Sequence, residues 1–212
     1  MGRTAMLHLR VHPDNPQARL IRQAAERIRQ GEIVVYPTDT AYALGCHLGD
    51  KGALERIARI RRLTAQHQYT LLCRDLSEIA TYARVSNSMY RLLKAHTPSV
   101  CTFILPATSE VPRRLMHPKK KTIGIRVPTH PVCQALLAEL GEPMLTSTLL
   151  LPEHELPMDD PEEIELAIGK QIDVLLDAGL CTRGLTTIVD LSGDDPVLLR
   201  QGMCDVSTII GE

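Results

Sequence analysis

The sequence predicts an α/β fold of the mixed α+β type, with residues 1–212 forming a single domain. Apolar residues make up 44% of the 212-residue chain, which is enough to bury one sizeable core. Runs typical of strands alternate with amphipathic runs typical of helices, and several short strand-like runs close the sequence. No repeat, low-complexity stretch or linker divides the chain.

Helix signals are clear along the chain. Asn15-Pro16 predicts an N-cap followed by proline at the first helical position, and Gly31 predicts the end of that helix. His130-Pro131 starts a helix that ends at Gly141, and Asp160-Pro161 starts another with acids in its first turn. Further helices are expected at 51–62, 75–83 and 86–96.

Buried strands are predicted between these helices, and residues 152–162 are predicted to be a surface loop. IDVLLDAG, TTIVDL and VLLRQG are expected to be short closing strands. The other predicted strands are residues 32–37, 69–73, 100–105, 122–127 and 143–151.

Composition excludes several classes of protein. Aromatic residues make up only 3% of the chain, with no Trp, which argues against an aromatic platform for single-stranded nucleic acid. The six cysteines form no metal-like pair, so we expect reduced thiols that behave as small hydrophobic side chains. The sequence has neither a membrane span nor the apolar core of a signal peptide, so we expect a cytoplasmic protein.

Charge is distributed unevenly, although the net charge is only -1. Residues 1–130 hold 21 basic and 9 acidic side chains, a net +12, whereas residues 131–212 hold 3 and 16, a net -13. A basic face with an anionic partner is one interpretation. Mutual neutralisation of the two parts across the fold is the other.

A hydroxyl-rich turn follows the predicted strand 32–37. Thr38, Thr40 and Tyr42 could orient a small polar substrate there, since strand ends that lead into polar turns often bind ligands. The alternative is an ordinary turn capped by Asp39.

Two groups of basic residues are candidate anion sites. Arg56, Arg59, Arg61 and Arg62 end the predicted helix 51–62, where guanidinium groups could share a phosphate or could simply be solvated. Arg126 is a charge among apolar neighbours in a predicted strand, which suggests a carboxylate or phosphate partner. The lysines at 119–121 favour a solvated loop, and His67 is either a site residue or an inert surface histidine.

Several ordered motifs resemble the YrdC/YciO family, and they are most similar to its YciO branch. The resemblance spans about residues 10–205 and rests on YPTDTAYALGC (36–46), RIARIRRL (56–63), TPSVCTFIL (97–105), KTIGIRVP (121–128), EPMLTST (142–148), TTIVDL (186–191) and LLRQG (198–202). It implies a twisted sheet that curves around a large basic cavity.

The resemblance also implies two possible functions. Catalytic members of the family condense L-threonine, bicarbonate and ATP into threonylcarbamoyl-AMP for a tRNA modification, which makes ATP or AMP, threonine and bicarbonate the expected ligands. Magnesium is expected with ATP, without a tightly bound cofactor or another metal. Other members are described as binding double-stranded RNA, tRNA or rRNA, so an RNA-binding protein without synthase activity is the alternative.

The family pattern assigns roles to individual residues. Arg59 and Arg61 match a Lys-x-Arg pair that stabilises the triphosphate and are the predicted catalytic residues. Ser147 and Arg200 join them as nucleotide-binding residues. The predicted substrate-binding residues are Thr38, Thr40, His67, Thr122, Arg126, Ser147 and Thr186.

Position 149 departs from the pattern. Catalytic members have Ser-x-Asn where this chain has Ser147-Thr148-Leu149, so the resemblance implies the loss of an amide that contacts the nucleotide. On this basis Leu149→Asn is expected to raise any synthase activity. Ser99 and Val100 also replace a Gly-Pro pair expected after Pro98.

Overall fold

Ten strands form one mixed sheet in the computed structural model, which describes residues 5–182 and 184–210. The strand order is β1-β8-β2-β3-β7-β4-β6-β5-β9-β10. Parallel pairing joins β8 to both β1 and β2, β4 to β6, and β5 to β9, while the other neighbours are antiparallel. The strands are β1 Leu7–Arg10, β2 Val34–Pro37, β3 Tyr42–His47, β4 Thr70–Leu72, β5 Cys101–Pro106, β6 Thr122–Arg126, β7 Met144–Thr148, β8 Val174–Asp177, β9 Thr187–Asp190 and β10 Val197–Arg200.

Helices connect these strands, and several begin at side-chain caps. Asp50, Ser86 and Asp160 each accept a hydrogen bond from a backbone N–H in the first turn, as do Asp75 and His130. Gly141 ends α5 at a φ of 73°, a conformation that favours glycine. The helices are α1 Ala18–Arg29, α2 Lys51–Arg61, α3 Leu76–Tyr82, α4 Asn87–His96, α5 Pro131–Leu140, α6 Pro161–Ile168 and α7 Ser207–Ile210, with a 3₁₀ turn at Arg113–Leu115.

Alternation along the strands divides the core between the two faces of the sheet. On one face, α1 and α5 pack with Val34, Tyr36 and Val174 in a single cluster. On the other, Val35 and Leu44 belong to a larger cluster that includes residues of α2, α3, α4 and α6. The sheet therefore has helices on both faces, and the predicted mixed α/β class is confirmed.

Three local features differ from the sequence prediction. Helix α1 begins at Ala18, since the backbone N–H of Asn15 donates to His12 Nδ1 in a turn instead of starting the helix. Strand β1 was not predicted, because its segment LHLR lacks a continuous apolar run and lies at the edge of the sheet. Strand β3 extends the apolar stretch after the hydroxyl-rich turn and pairs back onto β2.

The prediction that all six cysteines are reduced thiols is wrong for two of them. Cys101 in β5 and Cys204 form a disulfide with a Cα–Cα distance of 5.8 Å across 103 residues of sequence. Sequence spacing did not indicate this pair, because the topology alone brings these two positions together. Cys46, Cys73 and Cys133 are buried free thiols, and burial raises the pKa of each.

Within the described residues, no helix has the length and apolar character needed to cross a bilayer.

The disulfide predicts how many thiols react with an alkylating reagent. Protein denatured without reductant should take up label on four of its six cysteines, and on all six after reduction. Mass spectrometry of the alkylated peptides measures this, with labelled Cys46 as the internal control. Label on Cys101 and Cys204 before reduction would contradict the pairing.

Leu149 lies in the core rather than on an accessible surface. Its side chain is fully buried in the larger apolar cluster, while its backbone N–H donates to the carbonyl of Tyr42. An asparagine here would bury an amide among apolar side chains instead of presenting it to a ligand. The placement thus argues against the expectation that Leu149→Asn restores a nucleotide contact.

We predict that Leu149→Asn destabilises the protein by about 3 kcal/mol or more, because apolar burial is lost and a polar group is buried. Urea unfolding measures the change. The matched control is Leu166→Asn in α6, where the side chain is 88% exposed and a change below about 1 kcal/mol is expected. Equal stabilities of the two variants would overturn this prediction.

Candidate functional site

A polar cavity occupies part of the face that carries α1 and α5. Leu72 and Met144 pack with those helices, whereas Thr70 and Thr146, two positions away on the same strands, line the cavity instead. Side chains two residues apart in a strand point to the same face of the sheet. The cavity therefore lies on the face of the sheet that α1 and α5 cover in part.

Strand β6 forms part of the cavity floor by alternation. Ile123 and Ile125 enter the larger apolar cluster, so Thr122, Gly124 and Arg126 face the cavity side. A Cβ atom at Gly124 would lie 2.5 Å from Thr70 Oγ1 and 3.0 Å from the Tyr69 carbonyl oxygen. Glycine at this position therefore allows the side chain of Thr70 in β4 to pack directly over β6.

The cavity has a volume of about 110 Å³. That is well below the roughly 300–1,000 Å³ typical of sites for drug-sized ligands, so its enclosed part suits a small molecule or one end of a larger one. Its lining residues are Arg61, His67, Gln68, Thr70, Thr102, Arg126, Thr146, Ser147, Thr148, Leu150, Leu185, Thr186, Ile188 and Arg200.

Arg61 reaches the cavity from the last residue of α2. Its Nη1 donates to Ser147 Oγ at 2.7 Å, and its Nε donates to the Leu150 carbonyl at 3.2 Å. Both acceptors are neutral, so neither of these two hydrogen bonds offsets the charge of the guanidinium. Burial, and the nearby charge of Arg200, lower the pKa of Arg61 to about 10.

Arg200 enters from the end of β10, which four strands separate from β7, the strand that carries the Ser147 partner of Arg61. Its Nε and Nη2 donate to the Thr186 carbonyl at 3.0 and 2.8 Å, and Nη2 also donates to Thr186 Oγ1 at 2.8 Å. These acceptors are neutral as well, and burial lowers the pKa of Arg200. Two cations thus face the cavity with hydrogen bonds to neutral groups, and neither has an ion pair with an acidic side chain among the described residues.

Arg126 is the most deeply buried of the three arginines, with 5% of its side chain exposed. Its Nη2 donates to Asp39 Oδ2 at 3.1 Å, and the same carboxylate accepts from the backbone N–H and the hydroxyl of Thr129. Arg126 Nε is buried and has no hydrogen-bond partner in the described part of the chain. An unpaired buried donor is costly, so Arg126 Nε–H marks the place where a ligand oxygen would accept a hydrogen bond.

The cavity as a whole is cationic. Three arginines line it, and none of its described lining residues is Asp or Glu; Asp39 contacts Arg126 from outside the lining. Burial, with repulsion from Arg61, lowers the pKa of His67 to about 4, so its ring is neutral at pH 7. The arrangement suits a ligand that carries more than one negative charge.

Seven of the predicted site residues meet at this cavity. Arg61, His67, Arg126, Ser147, Thr186 and Arg200 line it. Thr122 adjoins it through Gln68, because its hydroxyl donates to Gln68 Oε1 at 3.0 Å.

Thr38 and Thr40 lie outside the lining. Both are buried, Thr38 Oγ1 donates to the Ala41 carbonyl at 2.7 Å, and the two hydroxyl oxygens are 3.3 Å apart. Their turn reaches the cavity through Asp39, which holds Arg126.

The arginines at the end of α2 do not form one anion site. Arg56 makes a bidentate ion pair with Asp173, at 2.7 and 3.0 Å, and Arg62 pairs with Glu153 at 2.8 Å. Arg59 is exposed, and its Nε donates to the Glu55 carbonyl of its own helix. Of the four, Arg61 alone is among the described lining residues.

Sequence reasoning missed the hydroxyl and amide groups of the lining. Gln68, Thr70, Thr102, Thr146 and Thr148 were not singled out. The available signal was threonine at alternate positions of apolar strands, as in Cys101-Thr102-Phe103, where both neighbours face the core. That signal identifies a polar patch on the sheet but not a shared cavity, since one helix and six strands must first be brought together.

Among the described residues, no group of three or more His, Cys, Asp or Glu side chains could hold a metal ion. The polar groups of the cavity lining are guanidinium, hydroxyl, amide and imidazole groups.

Comparison with known proteins identifies similar sequences and structures. A family model named Sua5/YciO/YrdC, with the description "Telomere recombination", matches residues 26–202. The chain is 53% identical over 200 residues to the uncharacterized protein YciO of Escherichia coli K12, covering 94% of this chain and 97% of that protein. The crystal structure of E. coli YciO matches with a TM-score of 0.94 at 52% identity, covering 96% of this chain and 99% of the other.

More distant relatives match in sequence or in structure. A threonylcarbamoyl-AMP synthase of Vibrio vulnificus YJ016 is 28% identical over 159 residues, covering 74% of this chain and 84% of the synthase. Pyrococcus abyssi Sua5, solved in complex with L-threonine, matches with a TM-score of 0.87 at 24% identity, covering 99% of this chain and 62% of Sua5. Because the family model covers most of the chain and the E. coli relative aligns over nearly its full length, this chain belongs to the Sua5/YciO/YrdC family.

Proposed function

We propose that the cavity binds L-threonine together with ATP or AMP and that the protein forms threonylcarbamoyl-AMP. The observation that carries this proposal is the convergence of three arginines on a small cavity, with the buried Nε of Arg126 left unpaired. Relatives named threonylcarbamoyl-AMP synthase, and a family member complexed with L-threonine, support the choice of ligands.

Threonine would occupy the enclosed part of the cavity. Arg126 Nε is a buried donor suited to the carboxylate of the amino acid, and the neutral ring of His67 can accept a hydrogen bond from its amine or hydroxyl. The small volume favours an amino acid of this size over a complete nucleotide in the same space.

The nucleotide phosphates would lie between Arg61 and Arg200. Both guanidinium groups are held by neutral acceptors, so their charge remains available for phosphate oxygens. Magnesium would be held by the nucleotide phosphates, because the described lining has no carboxylate to coordinate it. Ser147, already hydrogen-bonded to Arg61, would lie beside the same phosphates.

The proposed reaction has two steps. The amine of threonine and bicarbonate form a carbamate and release water. A carbamate oxygen then attacks the α-phosphorus of ATP, the bond to the β-phosphate oxygen breaks, and pyrophosphate leaves. The carbamate is already an anion, so catalysis would consist of positioning and charge stabilisation by Arg61 and Arg200 rather than of general-base chemistry.

Duplex RNA binding is the second candidate function, carried by a different surface. Arg113, Arg114 and the lysines at 119–121 are all exposed within one segment, where phosphate contacts would be sequence-independent. RNA affinity at this surface would fall steeply with salt, and loss of Arg61 would leave it unchanged.

We predict that Arg61→Ala weakens AMP binding by about tenfold or more, since a hydrogen bond to a charged group is lost. Titration calorimetry of the 212-residue chain measures this, with Arg62→Ala as the matched control on an exposed arginine. Equal AMP affinity of the two variants would reject the cavity as the nucleotide site.

The wild-type protein should release pyrophosphate from ATP only when threonine and bicarbonate are both present. Pyrophosphate release that does not depend on both substrates, or no release, would reject the proposed synthase activity.

The pKa of His67 should report occupation of the cavity. NMR titration of the ligand-free protein should give a midpoint near 4, because burial and Arg61 disfavour the protonated ring. Pyrophosphate or AMP offsets the charge of Arg61 and should raise the midpoint by about one unit. His67→Asn assigns the signal, and chloride at equal ionic strength is the control. A ligand-free midpoint near the ordinary 6.5 would contradict the buried, repelled environment.

A further inference from the structure

Asp39 contacts the cavity through one guanidinium group. The turn between β2 and β3 brings Asp39 against the end of β6, where it meets Arg126 Nη2, and against the loop before α5, where it meets Thr129. The pair with Arg126 is monodentate, so the carboxylate holds one nitrogen and leaves Nε for the cavity.

The turn itself is rigidly built around this carboxylate. The backbone N–H groups of Thr40 and Ala41 both approach Thr38 Oγ1, at 3.2 and 3.3 Å, and the N–H of Thr38 donates to the Ala41 carbonyl at 2.9 Å. The N–H of Gly184 donates to the Thr40 carbonyl at 2.8 Å from the other side. The hydroxyl of Thr38 is thus used within the turn, where it contacts Thr40 and Ala41. The side chain of Asp39 points out of the turn and contacts Arg126.

Asp190 shows what a purely structural aspartate of this kind looks like. Its side chain is 10% exposed against 8% for Asp39, and it likewise accepts from the backbone N–H and hydroxyl of one residue, Ser192, and from one cation, Lys120. The difference lies in the cation: Lys120 is 59% exposed, whereas Arg126 is 5% exposed and lines the cavity. Water can replace Asp190 at Lys120, but it cannot replace Asp39 at a buried guanidinium.

We propose that Asp39 is a positioning residue that fixes Arg126 by Nη2 and thereby aims Nε at the ligand carboxylate. The inference rests on the proposed threonine site and assigns to the Thr38-Asp39-Thr40 turn an indirect part in it. Its carboxylate acts on the ligand through Arg126. The carboxylate also supplies the counter-charge that makes burial of Arg126 tolerable before any ligand binds.

The test compares Asp39→Asn with Asp190→Asn in the 212-residue chain. Asparagine keeps the shape and can still bond Thr129, but it removes the charge that holds Arg126. By calorimetry, Asp39→Asn should weaken L-threonine binding about tenfold or more and leave AMP affinity within about twofold, because Arg61 and Arg200 are untouched. Asp190→Asn should change neither affinity. Equal threonine affinities of Asp39→Asn and wild type would overturn the proposal.

A ligand-free measurement separates this inference from the proposed function. The NMR signal of Arg126 Nε–H, assigned by its absence in Arg126→Lys, should exchange slowly with water in wild type and in Asp190→Asn. It should exchange about tenfold faster in Asp39→Asn, because the guanidinium is no longer held in its buried position. If the wild-type protein fails to bind threonine, the proposed function is wrong. The Nε–H exchange rates of wild type and Asp39→Asn still show whether Asp39 holds Arg126 in position.

A milder variant covers the case in which Asp39→Asn does not fold. Thr129→Val removes one of the donors to Asp39 and leaves both charges in place. It should give a smaller but measurable loss of threonine affinity and a smaller rise in Nε–H exchange. Wild-type values for both would overturn the proposal.

Discussion

The burial of the Arg126 guanidinium constrains the rest of this structure. A cation that is almost fully removed from water must have a fixed counter-charge, and here that charge comes from a turn distant in sequence. The ion pair therefore fixes the β2–β3 turn, the end of β6 and the entry to α5 relative to one another. Of these three elements, β6 contributes Arg126 to the cavity lining, and the other two hold that side chain in place.

The cavity exists because helix coverage of one face of the sheet is incomplete. Helices α1 and α5 pack on one part of it, where the inward residues are apolar. Beyond them the same face carries Thr70, Thr102 and Thr146, whose hydroxyls tolerate water or a polar ligand. Arg61 and Arg200 then close the site from opposite sides, each held by neutral acceptors.

Much of this could be predicted from the sequence, for identifiable reasons. Alternation in TIGIR places two isoleucines in the core and so exposes Thr122, Gly124 and Arg126 on the other face, which made Arg126 a sound candidate. The starts of α5 at His130 and of α6 at Asp160 are predicted correctly, because N-cap hydrogen bonds form within the first turn of the helix. The arginines of α2 were harder, since the direction of each side chain depends on partners such as Asp173 and Glu153 in the last third of the chain.

Long-range pairing explains the remaining differences. The disulfide joins positions 103 residues apart, and strand β1 pairs in parallel with β8, near the other end of the chain. Ion pairs that are distant in sequence also account for part of the charge asymmetry. Arg56 pairs with Asp173 and Arg62 with Glu153, so the acidic residues 131–212 neutralise part of the charge of the basic residues 1–130. The basic residues that stay without acidic partners within the cavity are Arg61 and Arg200, among the described residues. The charge asymmetry along the chain was compatible with an anionic partner or with mutual neutralisation, and only the fold shows which cations are neutralised and which are not.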